Sequence, residues 1–180
     1  MKEKKRIVKR GKNEKSKETM MKKNYRNVFI IFLILIFGCQ KLQQNYTEKE
    51  KEMIKNEVKE QFNQLISALN NLDSLAWSEI YSKDEFLSAC VSTDFYANRG
   101  EFIDSIQHYF SLRENQHVEP LELQISELTP TLVLMTSQEK TEMRLKSDEN
   151  IKSKHVYTLI WKKEQGGWKI IHSHESWITE

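Results

Sequence analysis

The chain has 180 residues, a length that suits one domain with appendages, and its formal net charge of +2 is unevenly spread. Residues 1–27 hold twelve Lys or Arg and three Asp or Glu, which leaves the remainder at −7. A net-acidic domain lacks the basic footprint that nucleic-acid binding requires, and two cysteines, Cys39 and Cys90, are too few for a disulfide framework.

The basic segment runs into Val28–Phe37, ten apolar residues without a charge. A bilayer span needs about 20, so a basic flank followed by a short apolar core reads as a secretory signal peptide. The ending Ile36-Phe37-Gly38-Cys39 resembles a bacterial lipobox, although Phe37 is bulkier than the residue usual there. The resemblance implies cleavage before Cys39, lipid on its thiol and attachment of the protein to the membrane through that anchor. Gln40 rather than Asp follows the cysteine, which favours the outer membrane within the bacterial cell envelope. Residues 1–38 are thus expected to be a basic extension and signal peptide, 39–46 a lipidated tether, and 47–180 the domain proper. Met20 and Met21 precede Lys22-Lys23 and would give a signal of ordinary length, so residues 1–19 or 1–20 read as an upstream extension.

Thr47 and Glu50 form a T-x-x-E capping box, after which Ile54, Val58, Phe62, Leu65, Ile66 and Leu69 recur at helical spacing. Asp73 or Ser74 caps a short helix, Leu75 to Tyr81, and Phe86 to Val91 reads as a strand, with Cys90 a small buried hydrophobe. Asn98 and Glu101 cap a third helix over about 100–112 with Phe102, Ile103, Ile106 and Phe110 as its apolar stripe. Strands follow at about 118–128 and 131–145, parted by Pro130, and Ser147–Ser153 reads as a loop.

His155–Lys162 is β-branched and aromatic, which suits a strand, and Gly166–Trp177, GGWKIIHSHESW, reads as the last one. With Gly166 in the left-handed position of a three-residue hairpin loop, Thr158 falls opposite His172, Ile160 opposite Ile170 and Val156 opposite His174. That register sends Trp168, Ile170, His172 and His174 inward with Thr158. It sends Tyr157, Leu159, Trp161, Ile171 and Trp177 outward, as an apolar patch that a homodimer would bury. The Gly-Gly-Trp hairpin followed by W-x-I-x-H-x-H-x-S resembles the last hairpin of the nuclear transport factor 2-like superfamily, its SnoaL-like branch among others. The resemblance implies an α+β fold, a curved antiparallel sheet wrapped around a long N-terminal helix with two shorter helices, and a pocket at the open end of the cone.

The pocket candidates are Trp77, Tyr81, Phe102, Ile106, Thr158, His172 and His174, around a small apolar or aromatic ligand. His172 and His174 share a face, but zinc takes three or four ligands and no third stands at metal-like spacing, so neither metal nor cofactor is expected. The ketosteroid-isomerase branch of the superfamily would need a carboxylate base and a hydroxyl donor. Asp84, Glu85, Asp94 and Asp104 are available as bases and Tyr81, Tyr96 and Tyr109 as donors, none in a matching motif, so no catalytic residue is assigned. Three functions stay open: ligand binding, isomerase- or cyclase-like catalysis, and an interaction domain. A desolvated carboxylate facing a Tyr or His would favour catalysis, an apolar pocket with only His172 and His174 as polar groups would favour binding, and a filled cone would favour the third.

Overall fold

The computed structural model describes residues 46–179, with the side chain of Thr179 left out, so Cys39 and the tether up to residue 45 lie outside the described residues. Helix α1, Glu48–Asn70, starts at the expected capping box: the Thr47 amide donates to Glu50 Oε2 at 2.6 Å and the Glu50 amide to Thr47 Oγ1 at 3.2 Å. Its stripe Ile54, Val58, Phe62, Leu65 and Ile66 is buried. Helix α2, Ser74–Glu79, is capped by Asp73, which accepts from the Ala76 amide, and helix α3, Arg99–Leu112, by Asn98, which accepts from the Gly100 and Glu101 amides.

Six strands form one sheet in the order β2-β1-β6-β5-β4-β3. They are β1 Ser88–Val91, β2 Asp94–Tyr96, β3 Arg113–Thr129, β4 Leu132–Leu145, β5 Asn150–Glu164 and β6 Gly167–Thr179. The expected wholly antiparallel sheet is corrected here, because β1 runs parallel to β6 and pairs Ser88 with His172. Strand β2 was not foreseen; it is three residues long and, among the described residues, pairs only with β1. Strand β3 begins five residues before the expected start. Its first turns, Arg113 to His117, are polar, and as an edge strand β3 needs no apolar partner on its outer side. The stretch read as a loop over 147–153 is a tight turn, with Asp148 at φ 71°, and then the start of β5.

The C-terminal hairpin departs from the expected register in two steps. Gly167, not Gly166, takes the positive φ (109°), and Glu164 pairs with Gly167, Lys163 with Trp168 and Trp161 with Ile170. That one-residue slip turns β5 over. A bulge then follows: Ile160 pairs with His172, so Ile171 has no partner on β5, and beyond it Thr158 pairs with His174 and Val156 with Ser176. A bulge reverses the inside–outside phase of the strand. Trp168 and Ile170 point inward as expected, and so do Ile171, Ser173, Glu175 and Trp177. His172 and His174 point outward.

The core lies between the inner face of the sheet and the helices. Phe62, Leu65, Val133, Met135, Leu159, Trp161 and Ile170 are each under 2% exposed. The outward placement of Tyr157, Leu159, Trp161, Ile171 and Trp177 is therefore overturned: the first four are buried inside the protomer and Trp177 is half-buried on the same face. A dimer patch of these residues does not exist. At the far end of α1, Asn70 spans to edge strand β3, donating from Nδ2 to the Val118 carbonyl (3.2 Å) and accepting the Val118 amide at Oδ1 (2.6 Å). The unit that begins at Tyr46 thus has its own core and its own sheet.

Candidate active site

Above the sealed part of the core, the inner face turns polar. Along β4 the inward residues run Val133, Met135, Ser137, Glu139, Thr141, Met143. Along β5 they are Ser153, His155, Tyr157, and along β6 Ser173, Glu175, Trp177. These strands and helix α3 enclose a cavity of about 500 Å³. Its apolar wall includes Trp77, Phe102, Ile106, Phe110 and Val118.

Glu139 and His155 are cross-strand partners. Glu139 is fully buried, accepts from Ser137 Oγ at 2.8 Å through Oε1, and stands 2.9 Å from His155 Nε2 through Oε2. The same Nε2 is 3.4 Å from Glu175 Oε1. Lying between two carboxylate oxygens, Nε2 carries a proton and donates it; Nδ1 has no hydrogen-bond partner among the described residues. The imidazole stacks on Trp177 at 5.2 Å and 21°, which fixes its plane. Burial opposes its charge, but the Glu139 hydrogen bond and the charges of Glu175 and Glu139 outweigh burial, so its pKa lies above the usual histidine value.

Glu175 has a side chain 13% exposed. Burial pushes its carboxyl up to about 7 and Glu139 adds to the rise, partly offset by His155 and by Arg113 across the cavity. Next to it, the buried hydroxyls of Tyr157 and Tyr81 lie 2.7 Å apart, and burial raises the pKa of both, so both stay protonated.

Of the residues singled out from sequence, Trp77, Phe102 and Ile106 line this cavity. Tyr81 sits directly behind the wall, bonded to Tyr157. Thr158, His172 and His174 do not line it, because the slip and the bulge put them on the outer face. There His172 Nδ1 bonds Ser88 Oγ across β1 and β6 at 2.9 Å, and His174 is exposed. Among the candidate bases, Asp94 lies at the cavity rim and is exposed, Asp84 and Asp104 are exposed, and Glu85 pairs with Lys162. Tyr109 lines the cavity, while Tyr96 bonds Ser105 at 2.9 Å. Cys90 is half-buried and free. No group of three metal-type donors occurs among the described residues. Glu139, His155 and Glu175 were missed. The signal for them was an inward phase in which a strand with Val133 and Met135 on one face continues, on that same face, into Ser137 and Glu139.

A mixed, curved six-stranded sheet with helices over its inner face and a cavity between them defines the nuclear transport factor 2-like fold. Residues 58–180 match the SnoaL-like domain family, and the chain belongs to it. No curated protein matches the chain. Solved structures of similar fold include a protein assigned as a dehydratase of the NTF2-like family from Streptomyces avermitilis. It is 15% identical, with 71% of this chain and 97% of that one covered and a TM-score of 0.63. The hexachlorocyclohexane dehydrochlorinase LinA-type3 from Novosphingobium barchaimii is 9% identical, covering 74% and 93%, with a TM-score of 0.62. An NTF2-like superfamily protein from Salmonella enterica is 11% identical, covering 70% and 92%, with a TM-score of 0.64.

Proposed function

We propose that the domain is a proton-transfer enzyme acting on a small, mostly apolar substrate, by elimination or isomerisation. The observation that carries this is the desolvated Glu175 carboxyl standing 3.4 Å from His155 in a cavity of about 500 Å³. Of the three functions left open by the sequence, this arrangement favours catalysis. Glu175, ionised, takes a proton from a substrate carbon. His155, protonated and held by Glu139, gives one to a second atom, a leaving oxygen in an elimination or a carbon in an isomerisation. Release of the first proton from Glu175 to solvent and uptake of one from solvent by His155 reset the pair. A base whose pKa burial pushes up to about 7, beside a histidine whose pKa is raised, suits this work. A protein assigned as a dehydratase and a dehydrochlorinase, both of similar fold, support the reading by analogy. The N-terminal motif adds a location: a lipid on Cys39 would tether the enzyme to the bacterial cell envelope.

The test has two arms. Carbon-13 NMR of labelled glutamate carboxyls should find Glu175 titrating near pH 7; a midpoint below about 5, the ordinary range, removes the base. In heavy water, small carbonyl compounds that enter the cavity should exchange a carbon-bound hydrogen with a rate that rises with pH through 7 and is lost in Glu175→Gln.

A further inference from the structure

The cavity carries a permanent cation that makes no ion pair with the proton-transfer residues, although its charge partly offsets the rise in the Glu175 pKa. Arg113 stands where α3 ends and β3 begins, and its half-buried side chain lines the cavity. Its support is layered. Gln116, 7% exposed, donates from Nε2 to the Leu69 carbonyl at 3.1 Å, which turns its Oε1 to accept from Arg113 Nη1. The ring of Phe110 lies 5.7 Å from the guanidinium carbon. The group is held by an amide and a ring, yet no described carboxylate lies within ion-pairing distance of it. A guanidinium has five donors in a planar fork, and a half-buried one without a counterion is costly. Burial draws its pKa down, opposed in part by the charge of Glu175, which lies too far off to form an ion pair.

We infer that Arg113 is the docking point for a carboxylate, and that the ligand of this cavity is a small apolar or aromatic molecule bearing one acid group. The fork geometry of a guanidinium matches a carboxylate, and one permanent cation among the described lining residues matches a monoanion. Ile106, Phe110, Val118 and Met143 offer apolar contact to the body of such a molecule. The inference rests on the proton-transfer reading for the other end of the substrate, where the reacting carbon would lie beside Glu175. The carboxylates lining the cavity do not forbid an anion: Glu139 is bonded to His155, Asp94 is exposed at the rim, and Glu175 is largely protonated below about pH 7.

The probes are cinnamate and its neutral amide, cinnamamide, titrated at pH 6 into the domain from Tyr46 with nitrogen-15 in its arginines. Cinnamate should bind at least about tenfold more tightly than the amide and should move the Arg113 Nε–H resonance. Its affinity should fall as pH rises through 7. Arg113→Gln should erase the preference while keeping the affinity for the amide, and Arg113→Lys should keep part of the preference. Equal affinity for acid and amide, or no movement of the Arg113 resonance at several millimolar cinnamate, overturns the inference. Should Arg113→Gln fail to fold, the wild-type comparison decides alone. A preference for the acid alongside an ordinary Glu175 titration would retain Arg113 as a carboxylate site and discard the proton-transfer reading.

Discussion

Replacing Glu175 with Gln should stabilise the domain at alkaline pH and leave its stability almost unchanged at acid pH. Unfolded, the carboxyl loses its proton near 4.5; folded, burial holds the proton until about 7. The folded value lies above the unfolded one, so the contribution of this group is fully present below pH 4.5 and is lost as pH rises through 7. The gap corresponds to roughly 3 kcal/mol. That is an upper limit, because the side chain keeps some exposure and an amide must also be desolvated. His155 moves in the same direction, its raised value making its contribution largest below its unfolded pKa, so the variant must be compared with the wild type at each pH. Urea unfolding followed by tryptophan fluorescence at pH 4.5 and 8.5 gives the comparison. The expected gain is close to zero at the lower pH and about 1–3 kcal/mol at the higher. Parallel stability profiles for the two proteins would refute the argument, for they would mean that Glu175 ionises as easily in the fold as in water. A gain in stability coupled to loss of proton exchange is the mark of a residue kept for function at the expense of the fold.

The remaining predictions concern the hairpin and the anchor. Trp168 is 2% exposed and donates from Nε1 to Glu57 of α1 at 2.8 Å, so Trp168→Ala should cost about 3–5 kcal/mol in urea unfolding. A loss under about 1 kcal/mol would remove it from the core. Trp161→Glu would place a charge at a position 0% exposed and should abolish cooperative unfolding; a folded variant, whatever its oligomeric state, would restore the outward placement of this residue. If Cys39 carries the lipid, Cys39→Ala should leave full-length precursor and lose labelling by radioactive palmitate, whereas equal labelling of the variant would end the anchoring proposal.

What could be read from sequence was what is encoded locally. The capping box of Thr47 and Glu50, the stripe from Ile54 to Ile66 and the cap at Asn98 each lie within a few turns of chain, and each appears where expected. The site was lost through two choices that local sequence does not decide. Gly166 and Gly167 are adjacent, and which one turns left-handed fixes the face of all of β5. The bulge at Ile171 is set by what surrounds it: the Ile170 carbonyl accepts the Ser82 amide at 2.9 Å and the Ile171 carbonyl the Leu87 amide at 2.7 Å, from a stretch some ninety residues earlier. Those bonds hold β6 to the segment leading into β1, and no periodicity within HSHESW announces them. With the phase reversed, His155 and Glu175 looked like solvent-facing polar residues and His172 and His174 looked like the wall of the pocket.

Asn70 has a consequence for solubility. Strand β3, 17 residues long, is one margin of the sheet, and a bare margin of that length is a template on which another chain can add a strand. The Asn70 side-chain amide occupies both backbone groups of Val118 in the manner of a neighbouring strand. Two residues on, Pro120 has no amide hydrogen to offer, and the register slips between Pro120 and Glu122. Glu114, Glu119 and Glu122, exposed along the same strand, put like charges against any second copy laid on it. The domain therefore closes its longest open margin with one asparagine, one proline and three carboxylates. Asn70→Ala would be felt first as a tendency of concentrated protein to form fibrillar aggregates, ahead of any loss in thermal stability.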